Sequence, residues 1–176
     1  MKTALIFGSS GLIGNQLLSI ILQNNNYNKI KLFVRLVPEN NDSKVEIIQT
    51  DFTNLEKHKD SIVGDDCFFC IGTTRKDAPD QNEYRRIEYN IPINVAQIAK
   101  SNSVKTFVYV SSIGANPNSS STYLKNKDNI FIRGIAILSP NLCFFLFPSK
   151  SEGRITASLG KFRLFNSSST LPLFFK

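Results

Sequence analysis

The chain contains no tryptophan, one histidine, one methionine and three cysteines in 176 residues. So few cysteines do not build the paired framework that staples small oxidised domains. Cys67 and Cys70 form a C-x-x-C, but within DDCFFCIG, which reads as a buried strand. Residues three apart on a strand point to opposite faces. The pair therefore cannot share a metal or close a local disulfide while the strand stands, and it reads as core packing with no metal site. The lone His58 lies in the polar stretch TNLEKHKDS and reads as a surface imidazole rather than a ligand or a base. No apolar run is long enough to span a bilayer. Met1-Lys2 before ALIF imitates the start of a secretory signal, yet Gly8 interrupts it and a glycine turn explains the same residues better. These absences lead to the expectation of a cytoplasmic protein with no membrane contact.

Acidic residues are also scarce, 14 against 21 basic, for a net charge of +7. Residues 1–127 carry +3 of it and residues 128–176 the other +4. The basic residues are scattered, with no dense run and no nucleic-acid motif. The balance reads as a solvated basic surface plus a site for a polyanionic small molecule, and no nucleic-acid partner is expected. A hydrophobic content of 41% and a charged content of 20% fit a globular chain long enough for one substantial core.

What is present is organised around TALIFGSSGLIG, residues 3–14. Ala4 to Phe7 read as a short buried strand. Gly8, Gly11 and Gly14 follow at three-residue spacing, and Asn15 to Leu22 read as an apolar-faced helix. A glycine turn between strand and helix lets backbone N–H groups approach a pyrophosphate, with the helix N-terminus adding partial positive charge. Further strands are predicted at Lys29–Val34, Val45–Gln49, Cys67–Ile71, Thr106–Val110 and Leu142–Phe147. A short helix is predicted over Asn54–Ile62, capped by Thr53 or Asn54. Gln81 to Lys100 is helical in pattern, with Pro92 forcing a kink or a fresh start. Strands alternating with helices imply an α/β fold, a doubly wound parallel sheet of Rossmann type with helices on both faces. Ligands bind such sheets at the carboxyl ends of the strands. Gly8, Arg35, Asp51, Gly72 and Ser112 all fall at predicted strand ends.

Tyr123 and Lys127 are four residues apart in STYLKNK, a spacing that puts both on one face of a helix. An ammonium near a phenol stabilises the phenolate and lowers the phenol pKa from about 10. Such a tyrosine can exchange a proton with a carbonyl or alcohol oxygen near neutral pH. Ser112, or its neighbour Ser111, could hydrogen-bond the same oxygen.

GSSGLIG at 8–14, the strand-ending Arg35, Asp51-Phe52, CIGTTR at 70–75, VSSIGAN at 110–116 and Tyr123-x-x-x-Lys127 together resemble an atypical short-chain dehydrogenase/reductase. The branch most similar is that of the Tat-interactive-protein-like NAD(P)-binding oxidoreductases, over about residues 2–127. The resemblance implies that Gly8, Ser10, Gly11, Leu12, Ile13 and Gly14 hold the pyrophosphate. It implies that Arg35 faces an adenosine 2′-phosphate, favouring NADP over NAD, where an acidic residue would instead accept a ribose hydroxyl. A guanidinium also matches phosphate geometry. By the same resemblance Asp51 and Phe52 flank the adenine, and Gly72, Thr73 and Thr74 line the cofactor. Tyr123 is the implied general acid/base, Lys127 binds the nicotinamide ribose and tunes Tyr123, and Ser112 orients the carbonyl.

After Lys127 the pattern departs from that family. Phe147 stands where the family has an arginine before Pro148, and residues 128–176 hold 8 of the 14 phenylalanines. The expected division is a dinucleotide-binding domain over 1–149 and a divergent tail over 150–176, with a truncated or frame-altered end and a docking segment as the alternatives. The expected function is an NADP-dependent oxidoreductase acting on a small carbonyl or alcohol. The other reading is a non-catalytic NADPH-binding regulatory or scaffold protein docking on a protein partner.

Overall fold

The computed structural model describes residues 1–39, 42–110, 118, 120, 121 and 143–146. Strand β1 (Lys2–Phe7) is apolar on both sides from Ala4 onward because both are covered there. Ala4 and Ile6 pack on one face against Ile21 of α1 (Leu12–Gln23) and against Ile30, Leu32 and Val34 of β2 (Tyr27–Val34). Leu5 and Phe7 point the other way, into a larger cluster with Val95, Ile98 and Ala99. This alternation is the period-two signature of a strand, and covering on both faces is why Ala4 to Phe7 are all apolar.

The remaining strands are β3 (Val45–Gln49), β4 (Asp66–Phe69), β5 (Thr106–Val110) and β6 (Cys143–Leu146). The sheet order is β3-β2-β1-β4-β5-β6, with every neighbouring pair parallel. The chain winds outward from β1 to β3, then crosses back to β4 on the other side of β1. That reversal leaves a crevice above the tips of β1 and β4. The fold is thus the doubly wound Rossmann type that the alternation predicts.

Several boundaries differ from expectation. Helix α1 begins at Leu12, three residues before the NQLLSIIL run, because Gly11 is its extended N-cap (φ −78°, ψ 166°). The helix expected over Asn54–Ile62 is a 3-10 helix, Leu55–Ser61, with no side-chain cap. Strand β4 stops at Phe69, although the Cys70 N–H still donates to the Phe7 carbonyl at 2.8 Å. Cys67 joins the same cluster as Leu5 and Phe69, and burial pushes its thiol well up and that of Cys70 to about 12.

The long helical run divides at Pro92 into α2 (Gln81–Arg85), a π-helical turn (Arg86–Asn90) and α3 (Ile91–Ser101). Proline has no N–H to return to the preceding turn. The wider turn lets the Ile91 N–H reach the Arg86 carbonyl, and Pro92 then sits in the first turn of α3.

At the last rungs of the strands the sheet carries a row of aromatic rings. Phe7 stacks on Phe33 at 4.2 Å between centroids and lies 5.9 Å from Phe69, which lies 5.9 Å from Tyr109. These residues are direct partners in the β1–β2, β1–β4 and β4–β5 registers. The row forms a floor beneath the strand tips.

The opposite end of the sheet is tied by carboxylates. The buried Asp66 accepts from Lys2 Nζ at 3.0 Å and from the Tyr27 hydroxyl at 2.8 Å, and burial followed by this carboxylate raises the Tyr27 pKa. Asp65 accepts from Lys105 Nζ at 2.8 Å and from the Thr3 N–H at 2.9 Å, fastening the starts of β1 and β5 together. The Lys105 hydrogen bond, then that of Thr3, holds the Asp65 carboxyl below its usual range. A carboxyl lowered in the folded state stabilises the fold above its unfolded pKa and loses that contribution as pH falls through the folded value. Asp65→Asn is therefore expected to reduce urea resistance at pH 7 and to narrow its gap from the parent as pH drops below about 4. Urea midpoints measured across that range check this, and a gap independent of pH would count against it.

Candidate functional site

The tips of β1, β2, β3 and β4 open onto one cleft of about 780 Å³. Its base is the glycine turn. Gly8 follows β1 with φ +87°, a conformation that L side chains rarely adopt, and a Cβ there would meet the Ile71 nitrogen at 2.8 Å. Gly14, in the first turn of α1, lies so close that a Cβ would overlap the Gly8 carbonyl oxygen. Gly11 differs from both. A Cβ on it meets only the Gly8 oxygen, at 3.5 Å, and the residue borders the cleft. No side chain caps α1 and no acidic residue occupies its first turn. The positive end of the helix is left to whatever enters the cleft. An open cradle at Gly11 beside this helix end fits the pyrophosphate of a dinucleotide.

A second wall comes from the ends of β2 and β3. Arg35 and Leu36 follow β2, and both are exposed. Asp51 Oδ1 accepts from the Thr53 N–H at 2.9 Å and its hydroxyl at 2.8 Å, which holds the Asp51 carboxyl below its usual range. Phe52 turns at φ +62°, its N–H donating to Thr50 Oγ1 at 3.1 Å. Its ring is buried, 6.4 Å from that of Phe7, while the residue still borders the cleft.

The third wall is the segment after β4, with Ile71, Gly72 and Thr73. The Thr73 N–H donates to Oε1 of the buried Glu88 at 2.6 Å, which fastens this segment from behind. Thr74 instead closes a turn, its hydroxyl donating to Asp77 Oδ2 at 2.6 Å, and it does not border the cleft.

Of the residues singled out in the sequence, Gly8, Ser10, Gly11, Arg35, Asp51, Phe52, Gly72 and Thr73 line this cleft. Leu12, Ile13 and Gly14 form the first turn of α1. Ser112, Tyr123 and Lys127 lie outside the described residues. Sequence reasoning missed Glu83 and Arg86, which also border the cleft. A polar pair three residues apart carries no local mark of a ligand site; the entry of α2 just beyond the β4 tip is what sets the two residues beside the crevice.

Residues 8–136 match the model of a family described as NAD(P)H-binding. The chain is 35% identical over 130 residues to Protein FMP52, mitochondrial, of Debaryomyces hansenii, covering 73% of this chain and 58% of that one. It is 32% identical over 133 residues to Protein HTATIP2 of Rattus norvegicus, covering 73% and 54%. Among solved structures, the enzyme WbmH of Bordetella bronchiseptica in complex with NAD+ matches with a TM-score of 0.72 at 18% identity, over 90% of this chain and 59% of that one. Likeness at that identity speaks for the fold alone. The chain spans 58% of the length of the Debaryomyces hansenii FMP52 and 62% of that of the FMP52-1 of Scheffersomyces stipitis. The mitochondrial names of these relatives overturn the expectation of a cytoplasmic protein. That expectation rested on lacking a bilayer-spanning run and a secretory signal, and neither separates cytosol from organelle. Among the described residues no helix is long and apolar enough to cross a membrane.

Proposed function

This chain belongs to the NAD(P)H-binding family of atypical short-chain dehydrogenase/reductase-like proteins, and from that premise we propose that it is an NADP-dependent oxidoreductase acting on a small carbonyl or alcohol. The observation that carries the reading is the open Gly11 beside the uncapped start of α1, at the bottom of a cleft where four strand tips converge. Gly8, Ser10 and Gly11, with the first-turn amides of Leu12 and Ile13, hold the pyrophosphate, and Gly14 lets the helix come close enough to do so. Arg35 receives the adenosine 2′-phosphate, which is the basis for preferring NADP. Asp51 and Phe52 border the adenine. The Phe52 ring is committed to the core, so its contact falls on the backbone. Gly72 and Thr73 line the cofactor along the third wall, with Thr74 shaping the turn behind them.

When bound, the nicotinamide supplies the hydride. The chain supplies the proton and the orientation: Tyr123 exchanges a proton with the substrate oxygen, Ser112 hydrogen-bonds that oxygen, and Lys127 lowers the Tyr123 pKa and holds the nicotinamide ribose. The substrate is sought among mitochondrial carbonyl compounds, following the names of the FMP52 relatives. The test is a titration of the purified protein with NADPH and NADH, followed by NADPH oxidation against a panel of aldehydes and ketones. NADPH is expected to bind at least about tenfold more tightly. Equal or inverted affinities refute the NADP assignment. Tight binding with no oxidation across the panel favours the regulatory or scaffold reading.

A further inference from the structure

The wall beside the β2 and β3 tips carries a second guanidinium. Arg35 and Asp51 follow the tips, while Glu83 and Arg86 reach the same cleft from α2 and the turn after it. Arg86 is held in place. Its Nε lies 2.7 Å from Glu83 Oε2 and its Nη2 lies 2.8 Å from Oε1, a two-pronged pair, while Nη1 is 3.5 Å from the Phe52 carbonyl oxygen. Among the described residues these bonds engage three of the five guanidinium N–H groups, which leaves two for a ligand. The pair is partly open to solvent, with side-chain exposures of 34% for Arg86 and 43% for Glu83.

The four groups feel one another. The Arg86 hydrogen bond holds the Glu83 carboxyl below its usual range and the charge of Arg35 adds to this, while Glu83 and then Asp51 raise Arg86. Two cations and two anions thus share one rim. An anion arriving there meets an attraction set by how far the carboxylates neutralise the guanidiniums. Glu83 acts in two opposite ways. It holds Arg86 at the cleft rim by its Nε and Nη2, and it repels the incoming anion. A glutamine in its place keeps one acceptor oxygen for Arg86 and removes the repulsion.

We infer that Arg86 is a second anchor for the adenosine 2′-phosphate beside Arg35, and that Glu83 is the residue that sets the preference for NADPH over NADH. This rests on the NADP reading of the cleft. The experiment measures NADPH and NADH affinities of the parent, Arg86→Gln and Glu83→Gln by fluorescence titration at low and at physiological salt, with thermal melts as a folding check. Arg86→Gln is expected to weaken NADPH by about tenfold and NADH by less than about twofold. Glu83→Gln is expected to strengthen NADPH by roughly three- to fivefold at low salt, less at high salt, with NADH nearly unchanged. Because the two substitutions push the ratio in opposite directions, a folding defect in one does not mask the result. A parent that prefers NADPH, with a ratio unmoved by either variant, overturns the inference and leaves Arg35 acting alone. A Glu83→Gln variant that loses NADH affinity overturns it too, since Glu83 then accepts the ribose hydroxyl. A parent that prefers NADH removes the NADP reading and this inference together.

Discussion

Gly11→Val is expected to weaken NADPH binding by at least about a hundredfold while the protein stays folded, whereas Gly14→Ala is expected to destabilise the fold strongly. The two glycines sit three residues apart in one turn, yet their surroundings are opposite. At Gly11 a Cβ meets no protein atom closer than 3.5 Å, and the residue borders the cleft. Its backbone is extended, which valine adopts freely, so the cost to the fold is a poorer N-cap, about 1 kcal/mol. At Gly14 a Cβ overlaps the Gly8 carbonyl oxygen and comes within 3.0 Å of the Ser9 Cα. Both obstacles are backbone and cannot rotate away, so α1 must lift off the sheet, at a cost of about 3 kcal/mol or more. Circular dichroism melts and NADPH titrations of the two variants separate the effects. Parent-like NADPH affinity in Gly11→Val would place the pyrophosphate elsewhere and undo the proposed function.

Tyr123→Phe is expected to lower turnover about a thousandfold and to leave NADPH affinity within about twofold. The substitution removes one hydroxyl and preserves the ring, so any loss reports the proton rather than the packing. The assignment comes from the four-residue spacing to Lys127 and from the family to which the chain belongs. A phenol left near its ordinary pKa of about 10 gives up its proton reluctantly at neutral pH, which is why the proposed mechanism pairs Tyr123 with Lys127. Steady-state turnover with the best carbonyl of the panel is the measurement. Undiminished turnover would move the proton transfer to another group.

Much of this architecture was legible in the residues. Strands β3 and β5 match their sequence boundaries residue for residue, because polar turn chemistry brackets each apolar run. A kink or fresh start at Pro92 was legible because a disturbance there follows from a missing N–H. The π-helical turn before it was not, since a change of hydrogen-bond register leaves no mark on apolar spacing. Leu12 and Ile13 read as part of the glycine loop, which hid the true start of α1. The tie between Lys2 and Asp66 joins residues 64 positions apart, so no local pattern announces it. Glu83 and Arg86 looked like any exposed pair one helical turn apart. Only the folded position of α2 makes them neighbours of Asp51 and Phe52.

The packed rings of Phe33, Phe7, Phe69 and Tyr109 bear on how this cleft can change over time. Their contacts tie four strands into one buried layer beneath the tips, so a dinucleotide received there would meet a surface already ordered and cost the protein little freedom. Chemistry at the margin can then be exchanged one side chain at a time, altering which dinucleotide is accepted, without refitting the layer beneath.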